Sequence, residues 1–393
     1  MEFALSEDQL RIRDDLRSYF GALMTPELRQ ALRAEQEDEG GGDAYKQTVR
    51  RMGQDGWLGV GFPVEYGGRG WGPIEQYLFF EEAQLAEAPI PLLALNTVGP
   101  AIMEFGSPAQ KQAVIPAILR GEFHACIGYS EPNAGTDLAA LSTRAERDGD
   151  EWVINGQKQW TTQANFADYV WLACRTDPQA PRHQGISIFL VPMDTPGIKV
   201  VPIPTLVGRT NATFYDDVRV PHTSLVGEVN GGWKLITTQL NFERSTIVSS
   251  APGTHTLAQV EEWARRTRRA DGTRVIDEPW VQANLARVRV KLHALRILNW
   301  RVAWSIEHKT FDYAAASAVK VFGTELYVEA YHLLMEVTGE SGYLVEGPGS
   351  ELLDGLVERM TRRAVLTTFG GGVNEIQRDI IAMAGLGMPR SPR

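Results

Sequence analysis

The sequence predicts an α+β chain of several domains, helical at its start, β in its middle and helical again to its end. Three observations carry this. Apolar residues recur at three- and four-residue spacing over the first 120 positions, alternate with polar ones from about 121 to 228, and return to helical spacing after Gly231-Gly232. The expected domains are therefore residues 1–120, 121–228 and 229–393, which suits a length of 393 residues at about 100–200 residues per domain.

The first segment opens with Ser6 and Gln9, three residues apart, the spacing at which a hydroxyl and an amide satisfy each other's orphan N–H groups in a capping box. Behind them Ile12, Leu16, Tyr19, Phe20 and Leu23 form one buried stripe. Further helices are expected over about 43–56, 73–87, 91–106 and 108–120, with the run Gly67 to Gly72 as a connecting loop. In the middle segment Trp152, Ile154 and Gln157 to Thr161 flank Asn155-Gly156, which is expected to be a type I′ hairpin turn because both central residues must accept positive φ. Strands follow over about 169–174, 186–191, 198–203 and 213–220. No βαβ alternation appears, which counts against a Rossmann domain and nicotinamide binding by that route. In the last segment Val281, Leu285, Val288, Leu292, Leu295, Leu298, Val302 and Ile306 mark a long bundle helix. Another starts near Asp312 and passes Leu334, and the tail from Pro389 to Arg393 is expected to fray.

Composition narrows the function classes. With 39 Lys+Arg against 49 Asp+Glu the chain carries a net charge of −10, the wrong sign for binding nucleic acid by phosphate neutralisation. Cys126 and Cys174 are too few for a disulfide scaffold or a four-ligand zinc site. Met1-Glu2-Phe3 lacks the basic region of a signal peptide, and no run of about 18 apolar residues occurs, so the expectation is a cytoplasmic chain without membrane insertion. His124 and His222 have no metal-ligand spacing and are expected to pack or hydrogen-bond in the β domain.

Two stretches could carry chemistry. Gly128-Tyr129-Ser130-Glu131-Pro132-Asn133-Ala134-Gly135-Thr136-Asp137 gathers hydroxyls, glycines and turn residues that can direct N–H and O–H groups at an oxygen-rich ligand, or can simply be a loop entering the β domain. Gln159-Trp160-Thr161-Thr162 sets a large aromatic beside two hydroxyls, a pattern shared with ordinary core packing.

Together these stretches resemble the acyl-CoA dehydrogenase family. The first matches the flavin-contact signature through Ser130-Glu131, Gly135 and Thr136-Asp137, with Tyr129 where a smaller aliphatic residue is usual. The second resembles the family's Trp-x-Thr strand after an Asn-Gly-x-Lys element, here Asn155 to Lys158. The likeness continues through Val220-Pro221, Leu225-Val226-Gly227 and Gly231-Gly232-Trp233 to Asn374-Glu375-Ile376-Gln377-Arg378, nearly the whole chain. It implies an N-terminal helical domain, a middle β-barrel-like domain and a C-terminal four-helix bundle. It also implies FAD as cofactor, an acyl-CoA substrate, and an electron-transfer flavoprotein as electron acceptor. In the site it implies Ser130 and Thr162 at the flavin ring, Trp160 packed beside it and Thr136 toward the phosphates or the pantetheine, with Tyr129 and Gly135 in the same loop.

The catalytic base is the informative departure. Many members carry a Glu shortly before the Asn-Glu-Ile-Gln segment, where this chain has Gly371 within Phe369-Gly370-Gly371-Gly372-Val373. A minority place the Glu directly before an Arg at the start of the first long C-terminal-domain helix, which Asn241-Phe242-Glu243-Arg244 matches. On the residues alone, Glu243-Arg244 also reads as a surface ion pair. The resemblance makes Glu243 the base, with Arg244 positioning it or the substrate.

A second departure concerns partners. The family's segments that hold a neighbour's flavin, Arg-x-Thr-Phe and Gln-x-Phe-Gly-Gly-x-Gly, correspond here to Arg265-Arg266-Thr267-Arg268 and Glu336-Val337-Thr338-Gly339-Glu340-Ser341-Gly342. An acid at 336 would repel a pyrophosphate. This implies a second acyl-CoA dehydrogenase-like subunit in a heterotetramer, against a homotetramer with weakened flavin binding. The glycine loop and the Asn-Phe-Glu-Arg element resemble in particular the Glu-bearing subunit of actinobacterial sterol side-chain acyl-CoA dehydrogenases, so a steroid side-chain acyl-CoA is the expected substrate. Alternatives are a homotetrameric dehydrogenase of branched or long acyl-CoA, an oxygen-activating relative, and a non-catalytic subunit that completes another chain's flavin site.

Overall fold

In chain order the helices are α1 (Glu7–Leu23), α2 (Pro26–Asp38), α3 (Asp43–Gln54), α4 (Pro73–Leu85), α5 (Gly99–Phe105) and α6 (Pro108–Leu119). Strands β1 (Ala125–Gly128), β2 (Arg144–Asp148), β3 (Glu151–Lys158), β4 (Tyr169–Arg175), β5 (Ile186–Pro192), β6 (Ile198–Thr205), β7 (Gly208–Pro221) and β8 (Leu225–Val226) follow. Then come α7 (Gly232–Arg244), α8 (Ala251–Arg266), α9 (Pro279–Glu307), α10 (Tyr313–Thr338), α11 (Leu356–Thr367) and α12 (Asn374–Ile380). This computed structural model describes residues 4–38, 41–244, 248–345 and 353–389, and for 36–38 and 241–244 the backbone alone.

The chain folds into two compact units. The helical unit takes residues 1–23, 72–88 and 244–393. The capping box forms as the spacing predicts: Ser6 N–H donates to Gln9 Oε1 at 3.1 Å and Gln9 N–H to Ser6 Oγ at 3.2 Å, with Leu16 and Phe20 of the stripe fully buried. The apolar positions of α9 meet those of α8, α10 and α11 in one core that includes Val260, Leu285, Leu292, Leu334 and Val357, a four-helix arrangement. α4 is buried on several faces, so its carboxylates need partners: Arg17 of α1 reaches Glu82 and Arg296 of α9 reaches Glu81, each at 2.8 Å.

The second unit takes residues 24–71 and 89–243. Its sheet runs β6-β7-β3-β2-β4-β5-β8, with β1 parallel on the other side of β4. β2 meets β4 through the single pair Arg144/Arg175, so the sheet has two halves, and both contribute to one core: Trp152, Ile154, Tyr215 and Val218 from one, Cys126, Leu172 and Phe189 from the other. The two cysteines are buried, and burial pushes each thiol up to about 12, where it stays protonated and inert.

One expected turn is elsewhere. β3 runs straight through Asn155-Gly156, and the chain reverses between Asp148 and Glu151, with Gly149 at φ 63 in the first loop position as a type II′ turn requires. Asn155-Gly156 is instead a register break against β7. Gly156, at φ 146, passes so close to Thr143 that an added Cβ would lie 2.6 Å from its hydroxyl, while Asn155 exchanges two 3.0 Å hydrogen bonds with Asp217. The extra residue of this bulge lies on β7, where Asp217 takes φ 48, so nothing within the Asn155-Gly156 dipeptide marks it as strand and not turn. The helix expected over 91–106 also begins differently, with a π-helical turn at Ala94–Val98 ahead of α5.

Candidate active site

The second unit brings both motif stretches together. Beyond β1 the loop closes on itself through paired backbone hydrogen bonds between Glu131 and Ala134, of 2.9 and 3.1 Å, and Gln159 N–H donates to Ser130 O at 2.8 Å. Beneath lies an ion pair. Lys158, the last residue of β3 and wholly buried, donates to Glu131 Oε1 at 2.7 Å and to Tyr129 O at 3.1 Å. The carboxylate also accepts from Ser142 N–H and Oγ–H at 2.7 Å each and from Thr143 N–H at 2.8 Å. Burial alone would lift the Glu131 carboxyl, but the Lys158 ammonium and these hydrogen bonds outweigh it and hold it down at about 2. Burial pushes the Lys158 ammonium the other way, with Glu131 opposing, and the close pairing keeps both partners ionised.

Trp160 follows Lys158 by two residues. Its backbone is left-handed at φ 64 and its indole is 54% exposed, an uncommon combination for a large aromatic in a β domain. The neighbouring Thr161 is the anchor: its N–H donates to Asn211 O at 2.8 Å, its carbonyl accepts from Asn211 Nδ2 at 3.2 Å, and its hydroxyl meets that of Thr213 at 3.3 Å. Thr162 shares a 3.2 Å hydroxyl contact with Thr210. In the first loop Gly135 and Thr136 are exposed, with nothing within 4 Å of a Cβ placed on Gly135, and Ser130 is half-buried. A bare indole, nearby hydroxyls and a loop fixed from below suit a flat ring edged with nitrogen and oxygen, so the residues present fit an isoalloxazine.

The remaining candidates divide. Glu243 and Arg244 close α7, and their side chains lie outside the described residues. Residues unnoticed in the sequence join α7 to the loop: Gln239, buried on α7, accepts from the Tyr129 hydroxyl and from the Trp171 indole. In the helical unit, Arg268 donates to Gly272 O at 2.7 Å and Glu336 accepts from Asn284 Nδ2 at 3.0 Å, so both departures from the family pattern are engaged within the chain. His222 Nδ1 accepts from Trp152 Nε1 at 3.1 Å. His124 is buried with no hydrogen-bond partner on Nδ1, and desolvation lowers it to about 4. Among the described residues no group of three or more His, Cys, Asp or Glu could hold a metal ion, and no helix is long and apolar enough to cross a membrane.

This architecture and site define a class, the oxidoreductases that act on CH–CH bonds of acyl thioesters. Models of the acyl-CoA dehydrogenase N-terminal, middle and C-terminal domains match residues 6–122, 126–218 and 230–386. Mycobacterium tuberculosis acyl-CoA dehydrogenase FadE26 is 51% identical over 401 aligned residues, covering 100% of both chains. Among solved structures, a chain of the ChsE4-ChsE5 complex from Mycobacterium tuberculosis superposes with a TM-score of 0.92 at 51% identity over 100% of each chain. A chain of the Tcur3481-Tcur3483 steroid ACAD gives 0.92 at 45% identity, again over 100% of each. The chain belongs to the acyl-CoA dehydrogenase family, whose members are FAD-dependent flavoproteins.

Proposed function

We propose that this chain desaturates the α–β bond of a steroid side-chain acyl-CoA with FAD as acceptor, as the base-bearing subunit of a heterotetramer. The observation that carries it is the anchored pair of loops around Ser130 and Trp160, in a chain matched end to end by members of a heteromeric complex and of a steroid ACAD. Ser130 and Thr162 would hydrogen-bond the flavin ring, Trp160 would pack on it, and Thr136 would face its phosphates or the pantetheine, with Tyr129 and Gly135 shaping the loop. Bound FAD supplies the acceptor for the β-hydride. Glu243 takes the α-proton onto a carboxylate oxygen, Arg244 holds it in place, and the α C–H electron pair becomes the new double bond as the hydride leaves. The proton is acidic enough for this only while the thioester carbonyl is polarised by hydrogen bonds.

Gly370-Gly371 in place of bulkier residues would leave room for a ring system. The engaged Arg268 and Glu336 support a partner subunit that completes the flavin grip. Electrons would pass to an electron-transfer flavoprotein, in the cytoplasm. The test is anaerobic titration of the co-purified complex with linear and steroid acyl-CoA esters. Wild type should bleach its flavin with a steroid ester, and Glu243→Gln should keep its flavin yet reduce it at least ~100-fold more slowly. Undiminished reduction in Glu243→Gln refutes the base, a preference for linear esters refutes the substrate, and full flavin occupancy of this chain as a homotetramer refutes the partner.

A further inference from the structure

We propose that Tyr129, Gln239 and Trp171 form a positioning triad that fixes α7, and with it the backbone position of Glu243, against the loop that carries Ser130; this rests on the reading of Glu243 as the base. The triad is closed. Tyr129 donates its hydroxyl to Gln239 Oε1 at 2.5 Å, and Trp171 Nε1–H lies 3.0 Å from both Gln239 Oε1 and Tyr129 Oη. Trp171 is fully buried on β4 and Gln239 is 1% exposed.

Three features separate this from incidental packing. The other buried side chains of α7 include Leu235 and Ile236, so Gln239 is a polar group on a face where Leu or Met would pack without needing partners. An amide oxygen accepting two hydrogen bonds sets both distance and direction, which apolar contact does not. Tyr129 is also fixed at its other end, since its carbonyl accepts from Lys158 and the next residue's carbonyl accepts from Gln159 N–H. The tyrosine thus acts as a strut from the buried ion pair to α7. On that helix positions 236, 239 and 243 follow at spacings of three and four, so position 243 lies one turn beyond the amide on the same face. Tyr129 is also the residue by which this loop departs from the family's usual small aliphatic, so the strut is particular to chains that carry it.

Proton transfer depends steeply on placement, and an error of about 1 Å costs on the order of 100-fold. The triad's loss should therefore appear in the rate of the chemical step and not in binding. Tyr129→Phe and Gln239→Met, each in the co-purified complex, should lower flavin reduction at saturating acyl-CoA by roughly 10- to 100-fold. KM should stay within about twofold, with flavin content and the flavin absorption bands unchanged. The double variant should be no slower than the slower single one, because the groups act as a unit. Wild-type saturating rates in Tyr129→Phe overturn the triad, as does a loss that appears only as lower flavin content or higher KM. Tyr129→Phe removes one oxygen and keeps the ring, so it remains the deciding variant if Gln239→Met does not fold. Glu243→Gln run alongside keeps the two ideas apart: wild-type turnover there sinks the base, whereas an inactive Glu243→Gln beside a fully active Tyr129→Phe sinks the triad alone.

Discussion

Two buried lysines hold two loops, and they do it by different physics. Lys158 lies beneath the Tyr129–Asp137 loop and Lys320 beneath the glycine loop from Phe369 to Val373, with exposures of 0% and 1%. Lys158 faces a carboxylate, Glu131, at 2.7 Å. Lys320 donates to neutral acceptors, Asn374 Oδ1 at 2.7 Å and Thr368 O at 3.1 Å, which are the two ends of its loop. In the first case charge meets charge, and burial makes each partner depend on the other. In the second, burial lowers the lysine to about 8, with Glu375 and Glu325 pulling back only in part. One loop is held by a pair that must stay ionised, the other by a lysine that gives up its charge from about pH 8 upward.

The largest effect that would test this contrast is Lys158→Met. It strands the Glu131 carboxylate in a dry site, and removing one partner of a buried pair costs about 3–5 kcal/mol. Urea unfolding should show that loss, and bound flavin should fall because Ser130 and Tyr129 share the loop. A loss below about 1 kcal/mol would mean that the backbone donors of Ser142 and Thr143 suffice for Glu131. Acid should reach the same pair: the folded Glu131 sits at about 2, below its ordinary 4.5, so its contribution is complete above 4.5 and disappears as pH falls toward 2.

Lys320→Met should cost less, about 1–2 kcal/mol at pH 7, because the lost hydrogen bonds are partly offset by no longer burying a charge. The sign of its pH dependence is the same as that of the acid limb of Glu131, since both folded groups release their proton at a lower pH than the unfolded chain does, but its window is alkaline. Between about 8 and 10.5 the unfolded lysine holds a proton that the folded one has released, so wild type gains stability as pH rises through that window. The variant should lack that gain in denaturant titrations at pH 7 and 9.5.

These two loops also mark how far the sequence was legible. The long bundle helix expected from Val281 to Ile306 is α9, Pro279–Glu307, because a stripe repeated over seven turns leaves little choice of period. Strands β4, β5 and β6 likewise start where their apolar runs place them, whereas β7 begins at Gly208, five residues ahead of the run expected from 213. Local chemistry failed at Asn155-Gly156, where Asp148-Gly149-Asp150 offered a competing turn signal a few residues earlier. The candidate site was legible as motifs and not as a mechanism of support. Glu131 and Lys158 are 27 residues apart and Tyr129 and Gln239 are 110 apart, and no periodicity connects such pairs. The one available signal was a Lys closing a strand whose Trp152 and Ile154 enter the core, a residue type that is seldom buried without a partner.

Asn374→Asp offers the finest test, since it gives Lys320 the carboxylate that Lys158 already has. The new charge would strengthen the contact at 2.7 Å and return the lysine toward its ordinary range. Against this, the amide donors are lost: Asn374 Nδ2 donates to Thr324 Oγ1 at 3.0 Å and to Glu325 Oε1 at 3.3 Å. Two carboxylates would then face each other, although Arg378 still holds Glu325 at 2.7 Å. The opposing effects are each of order 1–2 kcal/mol, so the net change at pH 7 should be within about 1 kcal/mol while the alkaline gain of wild type vanishes. A loss above about 2 kcal/mol would instead show that the loop depends on the amide's donors, and that the lysine's neutral cradle is a consequence of Asn374's other duties.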